Sequence, residues 1–225
     1  MPDPTLAALP PARLRRRRLL DLDQGQPVLV IEAPAGYGKS VLARQWLALA
    51  RPGTTAAWIA LDPAARDPAI FLERLLAALE PPAAGRRAAA GRARPLAERF
   101  EQLYRQLPER DGEVRLVIDD GHALVGSDSA GWLARLLQLA SPRLRLCLTT
   151  QALRLGVGLG RLAARGAVQW IPSSRLAFTH EEIAALARLR GGRAPATAQL
   201  EALHAATEGW PALVQLALST PELAD

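Results

Sequence analysis

The sequence predicts an α/β fold, a parallel sheet sandwiched by helices and followed by a small all-helical unit. Three observations carry this. Residues 28–40, Val28-Leu29-Val30-Ile31-Glu32-Ala33-Pro34-Ala35-Gly36-Tyr37-Gly38-Lys39-Ser40, pass from a β-branched apolar run through small residues into a segment of helical period. Val114 to Asp120 is a second apolar run, and it ends in two carboxylates. Strand-like runs then alternate with helical stretches as far as Pro172, after which only helical periods remain.

The first stretch reads as strand, phosphate loop, helix. It matches the P-loop pattern GxxxxGK[ST], with Ala33 standing where the first glycine usually is. Ala33 through Gly38 form the loop, in which Gly36 and Gly38 give the backbone freedom to turn successive N–H groups inward. Lys39, Ser40 and Val41 open the helix, whose N-terminus adds its positive dipole end. Lys39 is predicted to reach the β and γ phosphates, and the Ser40 hydroxyl to ligate Mg²⁺. Ala33 can still make the turn if its φ is negative. The chain has one lysine, Lys39, against 27 arginines. A compact, rotatable ammonium is kept at the position where it suits phosphate better than a planar fork.

Length and composition fit one full domain plus a small second unit, with enough chain to bury a core. No run of roughly 18 apolar residues occurs, so no transmembrane helix is expected. The early arginines follow mildly apolar residues, the reverse of a secretory signal, which points to the cytoplasm. Cys147, flanked by Leu146 and Leu148, is the sole cysteine and reads as a buried thiol. The net charge of +6 invites a nucleic-acid reading, but the arginines are scattered over every segment, with no aromatic-interleaved basic stripe. Direct nucleic-acid binding is therefore not expected of this chain.

In order, residues 1–12 read as an extended Pro/Ala arm, and Arg13 to Arg18 with Leu14, Leu19, Leu20 and Leu22 as a short helix with a solvated basic face. Gly25 breaks it, and Pro27 precedes the first strand. Leu42, Ala43, Trp46, Leu47 and Leu49 give the helix after the loop its apolar face, ended by Pro52-Gly53. Thr55 to Leu61 is a strand. Asp67-Pro68 opens a helix with stripe Phe71, Leu72, Leu75, Leu76 and Leu79. Residues 80–95 read as a low-complexity connector. Leu96 to Leu107 is a helix with Phe100, Leu103, Tyr104 and Leu107 on one side; Trp132 to Leu139 is a helix, and Leu144 to Thr150 and Val168 to Ile171 are strands.

The carboxylates after Val114–Ile118 complete the chemistry. Opposite a phosphate loop, Asp119 at the strand tip is placed to hold Mg²⁺, and Asp120 to polarise water. Asp120 and Lys39 are thus the catalytic candidates, and Ser40 and Asp119 the metal candidates. His122 either orients Asp120 or is a loop histidine without chemistry. In the last part Thr179 and Glu182 form a capping box ahead of Ile183, Leu186 and Leu189; Thr197 to Ala205 and Pro211 to Leu218 are further helices. The division predicted is an arm and basic helix over 1–20, a P-loop nucleotide-binding domain over 21–172 and a helical subdomain over 173–225.

Four segments together resemble the nucleotide-binding module of the MalT-type, large LuxR-family ATP-binding transcription regulators, within the STAND P-loop NTPases. They are Ala33-Pro-Ala-Gly-Tyr-Gly-Lys-Ser40, Leu116-Val-Ile-Asp-Asp120 with His122, Leu176-Ala-Phe-Thr-His-Glu-Glu182, and Thr207-Glu-Gly-Trp-Pro211. The resemblance implies ATP and ADP as ligands with Mg²⁺, a resting ADP form and self-association or a protein partner in the ATP form. It also implies that Pro211 packs near adenine and that Arg16 to Arg18 lie near the nucleotide entrance. Where the family ends its fourth strand with Ser-Arg, this chain has Thr150-Gln151, and a neutral amide does not offset phosphate charge as a guanidinium does. Gln151 is thus a nucleotide-facing candidate with a weakened sensor role, which Arg154 could take over. Family members also carry winged-helix, superhelical and helix-turn-helix regions that 225 residues do not hold. The function expected is a Mg-ATP/ADP switch module with at most slow hydrolysis. The alternatives are a nucleotide-binding interaction module without turnover that docks on a full-length regulator, a small-molecule kinase, and a DNA-binding protein.

Overall fold

The five apolar runs form strands β1 (Val28–Glu32), β2 (Thr55–Ala60), β3 (Val114–Asp119), β4 (Leu144–Thr150) and β5 (Val168–Pro172). In the computed structural model, which describes residues 14–79, 95–107, 112–151, 158–191 and 195–219, they pair in parallel in the order β2-β3-β4-β1-β5. β1 therefore lies between β4 and β5. Its register sets Ile31 beside Thr149 and Glu32 beside Thr150.

Successive side chains of a strand point to opposite faces, and here each face is covered. Val28, Val30, Leu116, Ile118, Leu146 and Leu148 point one way, onto helices α3 (Pro68–Leu79), α4 (Leu96–Gln106) and α5 (Ser129–Gln138). Leu29, Ile31, Val117, Cys147 and Ile171 point the other way, onto α1 (Arg17–Leu20) and α2 (Lys39–Leu47). That two-sided burial is why the strands read as continuous apolar runs rather than alternating ones. Cys147 is buried, as its neighbours suggest.

The chain continues through α6 (Leu159–Ala164) and the single turn α7 (Ser173–Leu176) to α8 (His180–Leu189), α9 (Thr197–Thr207) and α10 (Pro211–Ala217). Phe178, Ile183, Leu186 and Val214 form a separate apolar cluster there, with Leu14, Leu200, Leu203 and Leu218 against it. The capping box forms: the Glu182 N–H donates to Thr179 Oγ1 at 3.3 Å, and the Thr179 N–H to Glu182 Oε2 at 3.1 Å. Asp67 accepts the Ala69 N–H at 2.8 Å ahead of α3.

Three local expectations change. Among the described residues, which exclude Arg13, the basic helix is only the turn α1, and Arg16 stands ahead of it making long-range contacts described below. α5 begins at Ser129, whose hydroxyl donates to the Arg66 carbonyl at 3.0 Å, three residues before the tryptophan where periodicity becomes visible. Asp62 caps an unforeseen 3-10 turn over Pro63–Arg66. The arm over 1–12, nearly all of the 80–95 connector, and Arg154 lie outside the described residues. Among the described residues no helix is long and apolar enough to cross a membrane.

Behind the sheet, Trp46 of α2 is flanked by two buried guanidinium groups, Arg115 at 5.1 Å and Arg145 at 5.5 Å from its ring centroid. Asp23 serves both the ring and one cation. It accepts the Trp46 Nε1–H at 2.8 Å and pairs with Arg145. Asp23→Ala leaves the buried Arg145 cation without its counter-ion, only the Gln26 carbonyl remaining to it, and an indole N–H without its acceptor. We therefore expect it to lower the unfolding free energy by about 3 kcal/mol in urea titrations. Asp23→Asn, which keeps an acceptor oxygen, should cost less.

Candidate functional site

β1 stops at Glu32, but Ala33 stays tied to the sheet through its N–H, which donates to the Thr150 carbonyl at 3.1 Å. Ala33 is buried, and it is not among the positive-φ residues; of the described non-glycine residues only Asp120 and Glu208 are. Alanine therefore suffices where the pattern has glycine. Gly36 and Gly38 do need their freedom, with φ of +81° and +77°. Gly38 caps α2, and Pro34, Ala35 and Gly36 are exposed.

The side chains of the motif converge behind this loop. The Lys39 Nζ donates to the Pro34 carbonyl at 3.0 Å. The Ser40 hydroxyl donates to Asp119 Oδ1 at 3.0 Å, and the Thr149 hydroxyl donates to the same oxygen at 2.5 Å. Thr149 Oγ1 also accepts the Asp120 N–H at 2.9 Å, which holds Asp120 in its left-handed conformation, φ 59°. Nothing local in the sequence marks Thr149, which stands one residue before the end of an apolar strand. Burial pushes the Asp119 carboxyl up from its ordinary range, against the Thr149 and Ser40 hydrogen bonds. Burial likewise pushes the Lys39 ammonium down, against the charges of Asp120 and Asp119. Asp120 points to solvent more than Asp119 does. His122 does not orient it: Nδ1 stands 3.7 Å from Asp120 Oδ1, and this buried nitrogen has no hydrogen-bond partner. Gln151 is exposed and directly follows Thr150, the residue bonded to the root of the loop.

A cavity of about 220 Å³ opens beside the start of α2. Gly38 and Val41 line it from the loop side, and Phe178, Leu186 and Pro211 from the helical side. Arg16 closes it. Arg16 is 5% exposed, the reverse of a solvated basic face. Its Nε donates to Glu182 Oε1 at 2.8 Å, its Nη2 to the Leu176 carbonyl at 2.9 Å, and its guanidinium lies 4.6 Å from the Phe178 ring centroid. Arg18 joins Glu182 at 3.0 Å. The helical part also reaches the loop itself, through Trp210 Nε1–H to the Ala35 carbonyl at 3.3 Å.

The arrangement suits a phosphate-bearing ligand with a hard divalent cation. A hydroxyl and a carboxylate oxygen 3.0 Å apart are oxygen donors of the kind Mg²⁺ takes, and an ammonium and a helix N-terminus stand beside them. Residues 21–154, more than half of the chain, match a family described as AAA domain. The chain belongs to the AAA domain family. Over 218 residues it is 32% identical to the serine/threonine-protein kinase PknK of Mycobacterium tuberculosis, covering 90% of this chain and 19% of that protein. Over 213 residues it is 28% identical to the HTH-type transcriptional regulator MalT of Vibrio cholerae, covering 89% of this chain and 23% of MalT. The chain thus spans about a fifth of the length of these curated relatives. The fold is that of the Aeropyrum pernix ORC2 protein in its ADP form, with a TM-score of 0.58 at 16% identity over 97% of this chain and 66% of that one. Cdc6p of Pyrobaculum aerophilum shares it too, with a TM-score of 0.53 at 22% identity over 84% of this chain and 53% of that one. This AAA domain is thus a parallel five-stranded P-loop NTPase fold related in sequence to parts of MalT and PknK.

The raised Asp119 carboxyl gives the metal-free domain a pH signature. The folded chain holds that proton more tightly than the unfolded chain, so this contribution to stability is present in acid and is lost as pH rises through the raised value. Asp119→Asn removes the loss. We expect the variant to be more stable than wild type at neutral pH and the difference to disappear below the ordinary carboxylate range, measured by urea unfolding across pH in chelator.

Proposed function

We propose that this AAA domain is a Mg-ATP/ADP-binding switch module of a MalT-like, LuxR-family regulator of the STAND type, acting in the cytoplasm with at most slow ATP hydrolysis. One observation carries the reading. The Lys39, Ser40 and Asp119 cluster stands beside a cavity whose far wall, Phe178, Leu186 and Pro211, belongs to the C-terminal part of the chain. A ligand spanning both would bind the sheet and the helices together, which is what a switch requires.

In this reading the loop Ala33 to Gly38 wraps the phosphates, and Lys39 binds them as a mobile cation. The N–H groups of Ala35 to Gly38 would be aimed at them, since Pro34 has none and that of Ala33 is taken by Thr150. Ser40 and Asp119 would hold Mg²⁺, which supplies charge neutralisation at the phosphates. Val41 and Pro211 would flank the base, and Asp120 would polarise a water. Gln151 stands near the phosphate end without a charge to offer, which favours binding over turnover. The proposed division places a basic segment over 1–20, the nucleotide domain over 21–172 and a helical subdomain over 173–225. Relatives named as a kinase and as a transcription regulator share a stretch like this chain, which supports an input module rather than an output one. A protein partner, or self-association in the ATP state, would receive the signal.

Calorimetric titration of ADP and ATP with Mg²⁺ into wild type, Lys39→Ala and Gln151→Arg tests this. Wild type should bind both nucleotides, and Lys39→Ala should lose roughly a hundredfold in affinity with its circular dichroism unchanged. Gln151→Arg should gain affinity for ATP over ADP. A wild type that binds neither nucleotide sinks the proposal. Tight binding with no turnover, and capture of a full-length regulator, would favour an interaction module without hydrolysis.

A further inference from the structure

We infer that Trp210 is a positioning residue of the phosphate loop, supplied by the helical part of the chain. It follows from where the loop carbonyls go, and it rests on the nucleotide reading of the site. Ala35 and Gly36 offer theirs to the start of α10: the Trp210 Nε1–H donates to Ala35 at 3.3 Å, and the Ala212 N–H to Gly36 at 3.1 Å. In a planar trans peptide the C=O and the following N–H point in opposite directions. Fixing the Ala35 and Gly36 carbonyls against α10 therefore turns the Gly36 and Tyr37 N–H groups away from it, toward the ligand side of the loop.

The fit between loop and helix is close. A Cβ on Gly36 would stand 2.7 Å from Trp210 Nε1 and 2.8 Å from the Ala212 Cβ, so only glycine admits the approach. Tyr37 stacks on the indole, with ring centroids 6.3 Å apart and planes at 24°. Trp210 itself is held from behind. The Phe178 N–H donates to the Gly209 carbonyl at 2.7 Å, and Gly209 has φ +68° with no room for a Cβ, which would lie 2.5 Å from the Phe178 carbonyl oxygen. Phe178 is also a wall of the cavity. Trp210 remains 38% exposed, so burial of its ring does not account for this anchoring.

The consequence is a coupling. The loop presents its N–H groups correctly only while α10 is docked, and moving the helices off the sheet releases two loop carbonyls at once. Base-side contacts at Phe178 and phosphate-side contacts at Gly36 then belong to one mechanical unit.

Trp210→Phe keeps a ring on Tyr37 and removes the N–H donor. Titrations of ADP and of adenosine into wild type and variant should show ADP weakened roughly fivefold and adenosine unchanged. Unchanged ADP affinity, or an equal loss for both ligands, overturns the inference. Loss of the nucleotide reading itself would appear differently, as a wild type that binds no ADP. In that case amide hydrogen exchange in the free chain decides: the Ala212 N–H should exchange faster in Trp210→Phe, and an unchanged rate overturns the inference.

Discussion

One carboxylate oxygen joins the three parts of the site. Asp119 Oδ1 takes hydrogen bonds from Ser40, in the first turn of α2, and from Thr149, at the end of β4. For those groups to meet, β3, β4 and β1 must be parallel and in one register, with Ile118 beside Leu148 and Ile31 beside Thr149. A slip of one residue would send Thr149 or Asp119 to the opposite face. Parallel strands have no face for solvent, so that register also demands a helical layer on each side. The site and the sandwich are one constraint seen at two scales.

The same junction is electrostatically unfavourable on its own. Asp119 and Lys39 are both buried enough that desolvation works against their charged forms, and each is only partly supported by the other. Pro34, which accepts a hydrogen bond from Lys39, offers a neutral carbonyl. Under the proposed function a phosphate and a divalent cation would offset that cost, as is common where function and stability compete.

Much of this was legible in the sequence because the signals are local. All five strands announce themselves as short, largely apolar runs, the loop as Gly-x-Gly-Lys-Ser, and the cap of α8 as Thr179 with Glu182. The candidates Val41 and Pro211 line one cavity. What was hidden depends on partners far along the chain. Arg16 reads as one of four consecutive arginines, and nothing near it shows that its guanidinium will be taken up by Glu182 and the Leu176 carbonyl. Thr149 is an ordinary strand residue until the register brings Asp119 to it. Trp210 follows a glycine and precedes a proline, which marks a turn but does not tell what the ring will touch.

The imbalance of 27 arginines to one lysine has a structural counterpart. Several of the described arginines act as a plane with donors at its edge: Arg115 and Arg145 flank Trp46, Arg16 lies over Phe178, and Arg135 sits among Phe100, Tyr104 and Trp132. Those sites need a flat cation that binds carbonyls and carboxylates at its edge while its face rests on a ring. An ammonium could meet only part of that demand. Under the proposed function the requirement at residue 39 reverses, since the cation would have to fit beneath a tight loop, let go of the Pro34 carbonyl and follow a phosphate. A guanidinium is too wide and too fixed in its geometry for that exchange, so the two kinds of cation divide between holding the fold and serving the loop.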